Sequence, residues 1–220
     1  MNTGSIDQFL QQLSVQNCGF PNLRNARLAN RYSEWREAAV LFGIMPQAGQ
    51  WQILLTLRTA TLRNHAGQIA LPGGKLETGE THTAAALRET FEETGIAASE
   101  WQTFPSMSSL LLPSGYRITP VPAICREETV PEINPAEVAE VFYLPLSVAA
   151  DLRSYHLKTT SDMPAGLPAL YWQKREIWGA TAAILYQTAL LAQTHPLPGC
   201  QANEPFPNKK AVCSTWSADG

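Results

Sequence analysis

The segment from Glu77 to Glu93 combines helical periodicity with a dense cluster of acidic side chains, and this combination constrains the fold most strongly. Arg88 is its only Lys or Arg, against five glutamates: Glu77, Glu80, Glu89, Glu92 and Glu93. On a projection at about 100° per residue, three carboxylates share one side of the helix: Glu89, Glu92 and Glu93. The opposite side carries apolar residues that we expect to face the core: Ala84, Leu87 and Phe91. The pattern predicts a helix over 81–94, which Gly95 ends.

Two interpretations of the carboxylate cluster follow from its spacing. One is a solvated acidic face, which is what most charge runs are. Against it, like charges four residues apart destabilise a helix, and only Arg88 is nearby to offset them. The other is a divalent metal site, because clustered carboxylate oxygens suit Mg²⁺ or Mn²⁺.

Short apolar runs on both sides of this helix predict strands. The strand candidates are 38–46, 51–58, 101–112, 116–125, 141–146 and 170–178. A short helix is expected over 147–152, and a longer apolar one over 179–193. Strands mixed with helices indicate an α+β or α/β domain with a mixed sheet.

Residue composition and hydrophobic spacing divide the chain into three parts, although 220 residues suit one ordinary domain. Residues 1–37 are expected to form an N-terminal helical segment on the surface, because Ile6, Phe9, Leu10 and Leu13 recur at helical spacing. Residues 38–193 form the main domain. Residues 194–220 are dense in Pro and Asn, which predicts a flexible C-terminal tail.

Composition excludes several classes of protein. The formal net charge of −3 lacks the basic surplus of a bulk nucleic-acid binder. The four cysteines are far apart, which argues against a disulfide framework or a structural zinc site. The longest apolar run, over 38–45, is far below the roughly 18 residues of a membrane span. We therefore expect a cytoplasmic protein that acts on a small molecule, without a nucleic-acid or membrane partner, and leave a homodimer open.

A longer motif surrounds the acidic helix. Gly74 is followed after five residues by Glu80, and after seven more by the run over 88–96. This resembles the signature of the Nudix hydrolases, GX5EX7REUXEEXGU with U apolar. The one departure is Thr90, where an aliphatic residue is usual, and we expect it to affect packing more than chemistry. The resemblance implies a Nudix fold, in which a mixed β-sheet lies between helices in an α/β/α sandwich.

The resemblance also implies a reaction and roles for the motif residues. Nudix enzymes hydrolyse a nucleoside diphosphate linked to a further moiety, using metal ions that neutralise charge and activate water. The implied ligands for Mg²⁺ or Mn²⁺ are Glu89, Glu92 and Glu93. Arg88 would orient the catalytic carboxylates, and Glu80 would brace the loop or lie near the metal.

The general base is less fixed, because it varies within this family. Glu89 is one candidate. Glu137 or Glu140, in the run PAEVAEVFYLPL, would supply a carboxylate from a later loop. The alternative is that these two are ordinary surface glutamates before a strand.

A second motif, over 54–74, precedes the acidic helix. It resembles the accessory motif of the coenzyme A diphosphatase branch, with departures at Thr59 and at Leu71, where phenylalanine is usual. The resemblance implies that the substrate is bound by Arg58, Arg63, Gly73 and Gly74. Arginines match phosphate oxygens well, although each could instead form a surface ion pair.

These observations lead to one hypothesis and two alternatives. The hypothesis is a metal-dependent hydrolase that cleaves coenzyme A, or a derivative, to 3′,5′-ADP and 4′-phosphopantetheine. The first alternative is a Nudix pyrophosphohydrolase acting on ADP-ribose, NADH or a nucleoside triphosphate. The second is a non-catalytic ligand sensor on the same fold, which the intact set of acidic residues disfavours.

Overall fold

The computed structural model describes residues 3–15, 25, 28–60, 67–160 and 163–197. The strands are β1 (Arg36–Gln47), β2 (Gln50–Arg58), β3 (Ile69–Ala70), β4 (Gly73–Lys75), β5 (Gln102–Thr103), β6 (Leu110–Leu111), β7 (Tyr116–Ile124), β8 (Val138–Pro145), β9 (Tyr155–Thr160), β10 (Met163–Trp172) and β11 (Arg175–Ile177). The α-helices are α1 (Thr3–Val15), α2 (His82–Thr94), α3 (Leu146–Ala149) and α4 (Gly179–Ala192). Two 3₁₀ turns cover Ala98–Glu100 and Leu152–Ser154.

The main sheet is mixed. Strands β1 and β7 run parallel, in register from Arg36 opposite Tyr116 to Ile44 opposite Ile124. The other pairings are antiparallel: β2 with β1, β3 and β8, β4 with β1, and β5 and β6 with β7. Strand β1 therefore lies between β2 and β7. Strand β2 also lies beside β8, which directly follows the candidate base Glu137.

Helices cover both faces of this sheet. Because side chains alternate along β1, Leu41 and Met45 pack on Ala86 of α2. Phe42 and Ile44 point the other way, into a cluster that α1 and α4 complete. The predicted α/β/α sandwich is confirmed.

Helix α2 has the predicted ends but not the predicted orientation. The Thr81 hydroxyl accepts a hydrogen bond from the Ala84 N–H at 3.2 Å, and Gly95 ends the helix in the left-handed conformation. Phe91, which was predicted to face the core with Ala84 and Leu87, is 53% exposed. The buried residues are Ala85, Ala86, Thr90, Glu93 and Thr94.

The size of the buried side chains explains this orientation. Alanines on the inner side let α2 lie close to the sheet, where leucine or phenylalanine would hold it away. Two buried hydroxyls are satisfied within the helix, since Thr90 donates to the Ala86 carbonyl and Thr94 to the Thr90 carbonyl, both at 2.6 Å. Thr90 therefore acts in packing, as expected.

Two predicted strands are interrupted. The segment 101–112 forms only β5 and β6, because Pro120 and Pro122 on the neighbouring β7 have no N–H to donate. The segment 170–178 turns back as the β10–β11 hairpin at Gln173 and Lys174, which both have positive φ. Strands β9, β10 and β11 form a second, antiparallel sheet.

The N-terminal helix α1 contributes to the core rather than lying on the surface. The four apolar positions that the spacing singled out are buried in the main cluster: Ile6, Phe9, Leu10 and Leu13. Most of the predicted C-terminal tail, residues 198–220, lies outside the described part of the chain. The division of the chain at residues 37 and 193 remains a prediction. No helix among the described residues is long and apolar enough to cross a membrane.

A pair of glycine substitutions tests how tightly the end of α2 packs. At Gly95, φ is +70° and a Cβ would lie 2.9 Å from the Glu132 carbonyl oxygen, whereas at Gly79, φ is +80° and a Cβ would meet nothing within 4 Å. Left-handed backbone costs about 1–2 kcal/mol with a side chain, so Gly79→Ala should lose about that much. Gly95→Ala should lose more, measured by urea denaturation. Equal losses would contradict the close packing of Glu132 on this turn.

Candidate active site

The carboxylate of Glu93 lies at the interface between α2 and β2. The residue is 1% exposed. Its Oε1 accepts from Arg58 Nη1 at 3.2 Å, and its Oε2 accepts from the Thr56 hydroxyl at 3.5 Å. Thr56 and Arg58 share one face of β2 because side chains alternate along a strand. That spacing was visible in the sequence, but nothing there paired β2 with Glu93, so the contact of Thr56 was missed.

Burial changes the protonation of this carboxyl. The pKa of Glu93 is raised to about 7. Loss of solvent is the largest cause, and the neighbouring charges of Glu89 and Glu137 act in the same direction, while Arg58 and the Thr56 hydroxyl lower the pKa. Arg58 therefore lies beside the predicted metal ligand. Its predicted contact with substrate remains a prediction.

Arg88 gathers the remaining carboxylates of the motif. Its guanidinium donates to both oxygens of Glu80, from Nε at 2.9 Å and from Nη2 at 3.1 Å. Nη1 donates to Glu89 at 2.9 Å and to Glu92 at 3.2 Å. The carboxylates of Glu80 and Glu89 raise the pKa of Arg88, which keeps its positive charge. The contacts agree with the expected orienting role.

Glu80 also braces the loop before α2. Its Oε2 accepts from the Glu77 N–H at 2.9 Å, and Arg88 Nη2 donates to the Lys75 carbonyl at 3.0 Å. Hydrogen bonds from Arg88 and from the Glu77 N–H lower the pKa of Glu80. The ion pair thus fixes the connection between β4 and α2.

The two glycines of the motif lie where backbone approaches other groups closely. A Cβ on Gly74 would lie 2.3–2.4 Å from the carboxylate atoms of Glu89. A Cβ on Gly73 would lie 2.3 Å from the Ala39 carbonyl oxygen of β1. Burial raises the pKa of Glu89; Arg88 opposes this, while the charges of Glu92 and Glu137 add to it. Gly74 therefore determines where Glu89 can lie.

Glu137 lies close enough to act electrostatically on both Glu89 and Glu93. Its backbone carbonyl accepts from the Thr59 N–H at 3.0 Å. Glu140 instead pairs with Arg175, at 2.6 Å between Oε2 and Nη2. Of the two later carboxylates, Glu137 is the one near the motif. Arg63 lies outside the described residues.

The donor chemistry of the site suits a divalent cation, although its three predicted ligands are not gathered around one point. Within the described residues, no three Asp, Glu, His or Cys side chains form such a group. Glu92 is 48% exposed and turned to Arg88. Glu89 and Glu93, however, are hard oxygen donors, and their burial and mutual repulsion favour a nearby positive charge. The assignment of Glu89, Glu92 and Glu93 as ligands stays a prediction.

Comparison with protein families agrees with this architecture. The family model described as the NUDIX domain matches residues 34–163, which include the main sheet, α2 and Glu137. The chain belongs to the Nudix family. Members of this family are pyrophosphohydrolases that generally use divalent metal ions such as Mg²⁺. This chain is therefore a Nudix pyrophosphohydrolase.

This Nudix hydrolase is similar to relatives in sequence and to solved structures in fold. It is 40% identical to the uncharacterized Nudix hydrolase NudL of Photorhabdus laumondii, over 72% of this chain and 86% of that protein. It is 37% identical to NudL of Escherichia coli (strain K12), over 87% of this chain and 97% of that protein. The structure of RenU, a Nudix hydrolase from M. smegmatis, covers 77% of this chain and 92% of its own, with TM-score 0.52 and 22% identity. That likeness supports the fold.

Neutralising Glu93 should stabilise the metal-free Nudix fold at alkaline pH. Because the folded pKa of about 7 exceeds the ordinary 4.5, the folded state binds the proton more tightly than the unfolded chain. The resulting stability is complete below pH 4.5, falls as the pH rises towards 7, and then levels off. Glu93→Gln removes this loss, and should gain on the order of 1–3 kcal/mol at pH 8 but little at pH 4.5.

Urea denaturation with a chelator present measures this difference. The matched control is Glu92→Gln, which neutralises the exposed neighbour and should show a much smaller pH-dependent change. A Glu93→Gln protein that is less stable than wild type at pH 8 would show that the Arg58 ion pair outweighs burial.

Adding one methyl group at Gly74 should impair catalysis without unfolding the protein. The three atoms nearest to a Cβ there all belong to the movable end of Glu89, so Gly74→Ala should displace that carboxylate at little cost in stability. We expect kcat to fall by about 10-fold or more, since misplacing a catalytic group by about 1 Å can cost 100-fold. Lys75→Ala, beside it, is the control in steady-state assays. Full activity of Gly74→Ala would contradict the role of Gly74.

Proposed function

We propose that this Nudix hydrolase cleaves the diphosphate of coenzyme A, or of one of its derivatives, to 3′,5′-ADP and 4′-phosphopantetheine. The observation that carries the proposal is the position of Arg58. It begins the loop that resembles the coenzyme A motif, and its guanidinium lies 3.2 Å from Glu93. The loop that would read the substrate therefore starts at the carboxylates that would act on its diphosphate.

The ends of this loop are held together. The Arg58 N–H donates to the Gln68 carbonyl at 3.0 Å, and the Gly67 N–H donates to the Arg58 carbonyl at 3.2 Å. The two described ends of the segment that contains Arg63 therefore lie together at the end of β2, where Arg58 contacts Glu93. Guanidinium groups there would match the phosphate oxygens of coenzyme A.

The two departures from the coenzyme A motif lie inside the protein. Leu71 is 2% exposed and packs in the main core. Thr59 is also buried, and its hydroxyl donates to the Ala136 carbonyl at 3.3 Å. Both departures therefore bear on packing, and the two arginines of the motif, Arg58 and Arg63, are present in the sequence.

The proposed mechanism assigns one task to each group. Glu89, Glu92 and Glu93 would hold Mg²⁺ or Mn²⁺, which neutralises the diphosphate and lowers the pKa of bound water. Arg88 holds Glu89 and Glu92 in orientation. Glu137 accepts a proton from a water molecule while the oxygen of that water forms a bond to one phosphorus atom. The bond between this phosphorus and the bridging oxygen breaks, and the bridging oxygen leaves with the other phosphate.

A substrate panel tests this function. With saturating Mg²⁺ or Mn²⁺, coenzyme A should give 3′,5′-ADP, and dephospho-coenzyme A should have kcat/KM lower by about 10-fold or more, because it lacks the phosphate that an arginine would bind. Glu89→Gln should abolish turnover, whereas Glu100→Gln, at an exposed glutamate outside the motif, should not. Preferred turnover of ADP-ribose, NADH or a nucleoside triphosphate would overturn the coenzyme A assignment.

A further inference from the structure

The segment before β8 is tied to the end of α2 by its backbone. The Glu132 N–H donates to the Thr94 carbonyl at 2.8 Å, and the Asn134 N–H donates to the Glu93 carbonyl at 3.1 Å. These two carbonyls lie in the last turn of α2, where no partner exists within the helix itself. The segment is thus anchored directly behind the side chain of Glu93.

Asn134 then organises the turn that leads to Glu137. Its side-chain Oδ1 accepts from the Ala136 N–H at 3.1 Å, and its carbonyl accepts from the N–H groups of Glu137 at 3.1 Å and Val138 at 2.9 Å. Asn at the first position and Pro135 at the second are the residues that favour such a turn. Three hydrogen bonds around Asn134 therefore fix the backbone of Glu137.

Strand β2 holds the same turn from the other side. Thr59 follows Arg58, and its N–H donates to the Glu137 carbonyl at 3.0 Å. Its hydroxyl donates to the Ala136 carbonyl at 3.3 Å. The backbone of Glu137 is therefore clamped between α2, which carries Glu93, and β2, which carries Arg58.

We propose that Asn134, supported by Thr59, is a positioning residue that holds the Glu137 carboxylate towards Glu89 and Glu93. The proposal deepens the proposed function, because it rests on Glu137 acting as the base. Among the described residues, the hydrogen bonds of Asn134 reach the backbone around Glu137 and the end of α2, and none reaches Arg58 or the carboxylates of the predicted metal ligands. Its loss should therefore alter proton transfer more than substrate binding.

The substitution Asn134→Ala tests this role, since it removes the Oδ1 acceptor and leaves the backbone bonds available. We expect kcat to fall by about 10-fold to 100-fold while KM changes by less than about 3-fold. Asn134→Asp keeps an acceptor in the same place and should restore most of kcat. Magnesium affinity, measured by calorimetry, should be the same in all three proteins.

A matched turn elsewhere serves as the control. Asp151 Oδ1 accepts from the Arg153 N–H at 2.9 Å, in the same two-residue geometry but outside the site. Asp151→Ala should leave kcat unchanged while shifting the thermal midpoint about as much as Asn134→Ala does. A similar kcat loss in both variants would reduce the effect to general destabilisation and overturn the proposal.

A double-mutant cycle with Glu137→Gln completes the test. If Asn134 acts through Glu137, then Asn134→Ala should cause less than about a 2-fold further loss of kcat in the Glu137→Gln protein. Independent, multiplicative losses would overturn the proposal, as would wild-type kcat in Asn134→Ala alone. The cycle uses the substrate that wild type turns over fastest, so a preference for a substrate other than coenzyme A overturns the proposed function but leaves this test intact.

Discussion

The buried carboxylate of Glu93 is the interaction on which the rest of the site depends. Placing it between α2 and β2 requires the helix to lie close to the sheet, which the small residues Ala85 and Ala86 permit. It also requires a compensating charge, since an isolated buried carboxylate is costly. Arg58 supplies that charge from the end of β2. The ion pair thereby links the end of β2 to the acidic helix.

Two arginines divide the acidic side chains between them. Arg88, within α2, forms ion pairs with Glu80, Glu89 and Glu92. Arg58, at the end of β2, forms an ion pair with Glu93. The division separates Glu93 from Glu89 and Glu92, which explains why the three predicted ligands do not converge on one point. A divalent ion at Glu89 and Glu93 would compete with both guanidiniums for the same oxygens. Releasing Arg58 in that exchange would free it to contact a phosphate.

Sequence reasoning succeeded where the signal is local. The caps of α2, at Thr81 and Gly95, and the acidic motif could be predicted because both depend on neighbouring residues. The orientation of α2 could not be predicted from hydrophobicity, because small and hydroxyl-bearing residues face the sheet while Phe91 faces solvent. Likewise, Asn134 was missed because its role depends on backbone contacts with α2, which no periodicity reveals.

The spacing of the motif has a steric explanation besides its ligands. Strand β4 pairs with β1 through Gly73 and Gly74, and the chain then returns through α2 so that Glu89 lies against Gly74. At the far end, Gly95 turns the chain where the segment carrying Glu132 packs against it. A chain that kept every glutamate but replaced these glycines would retain the ligand atoms and lose their placement. The glycines of the signature therefore matter as much as its glutamates, because they let the backbone lie close to neighbouring groups.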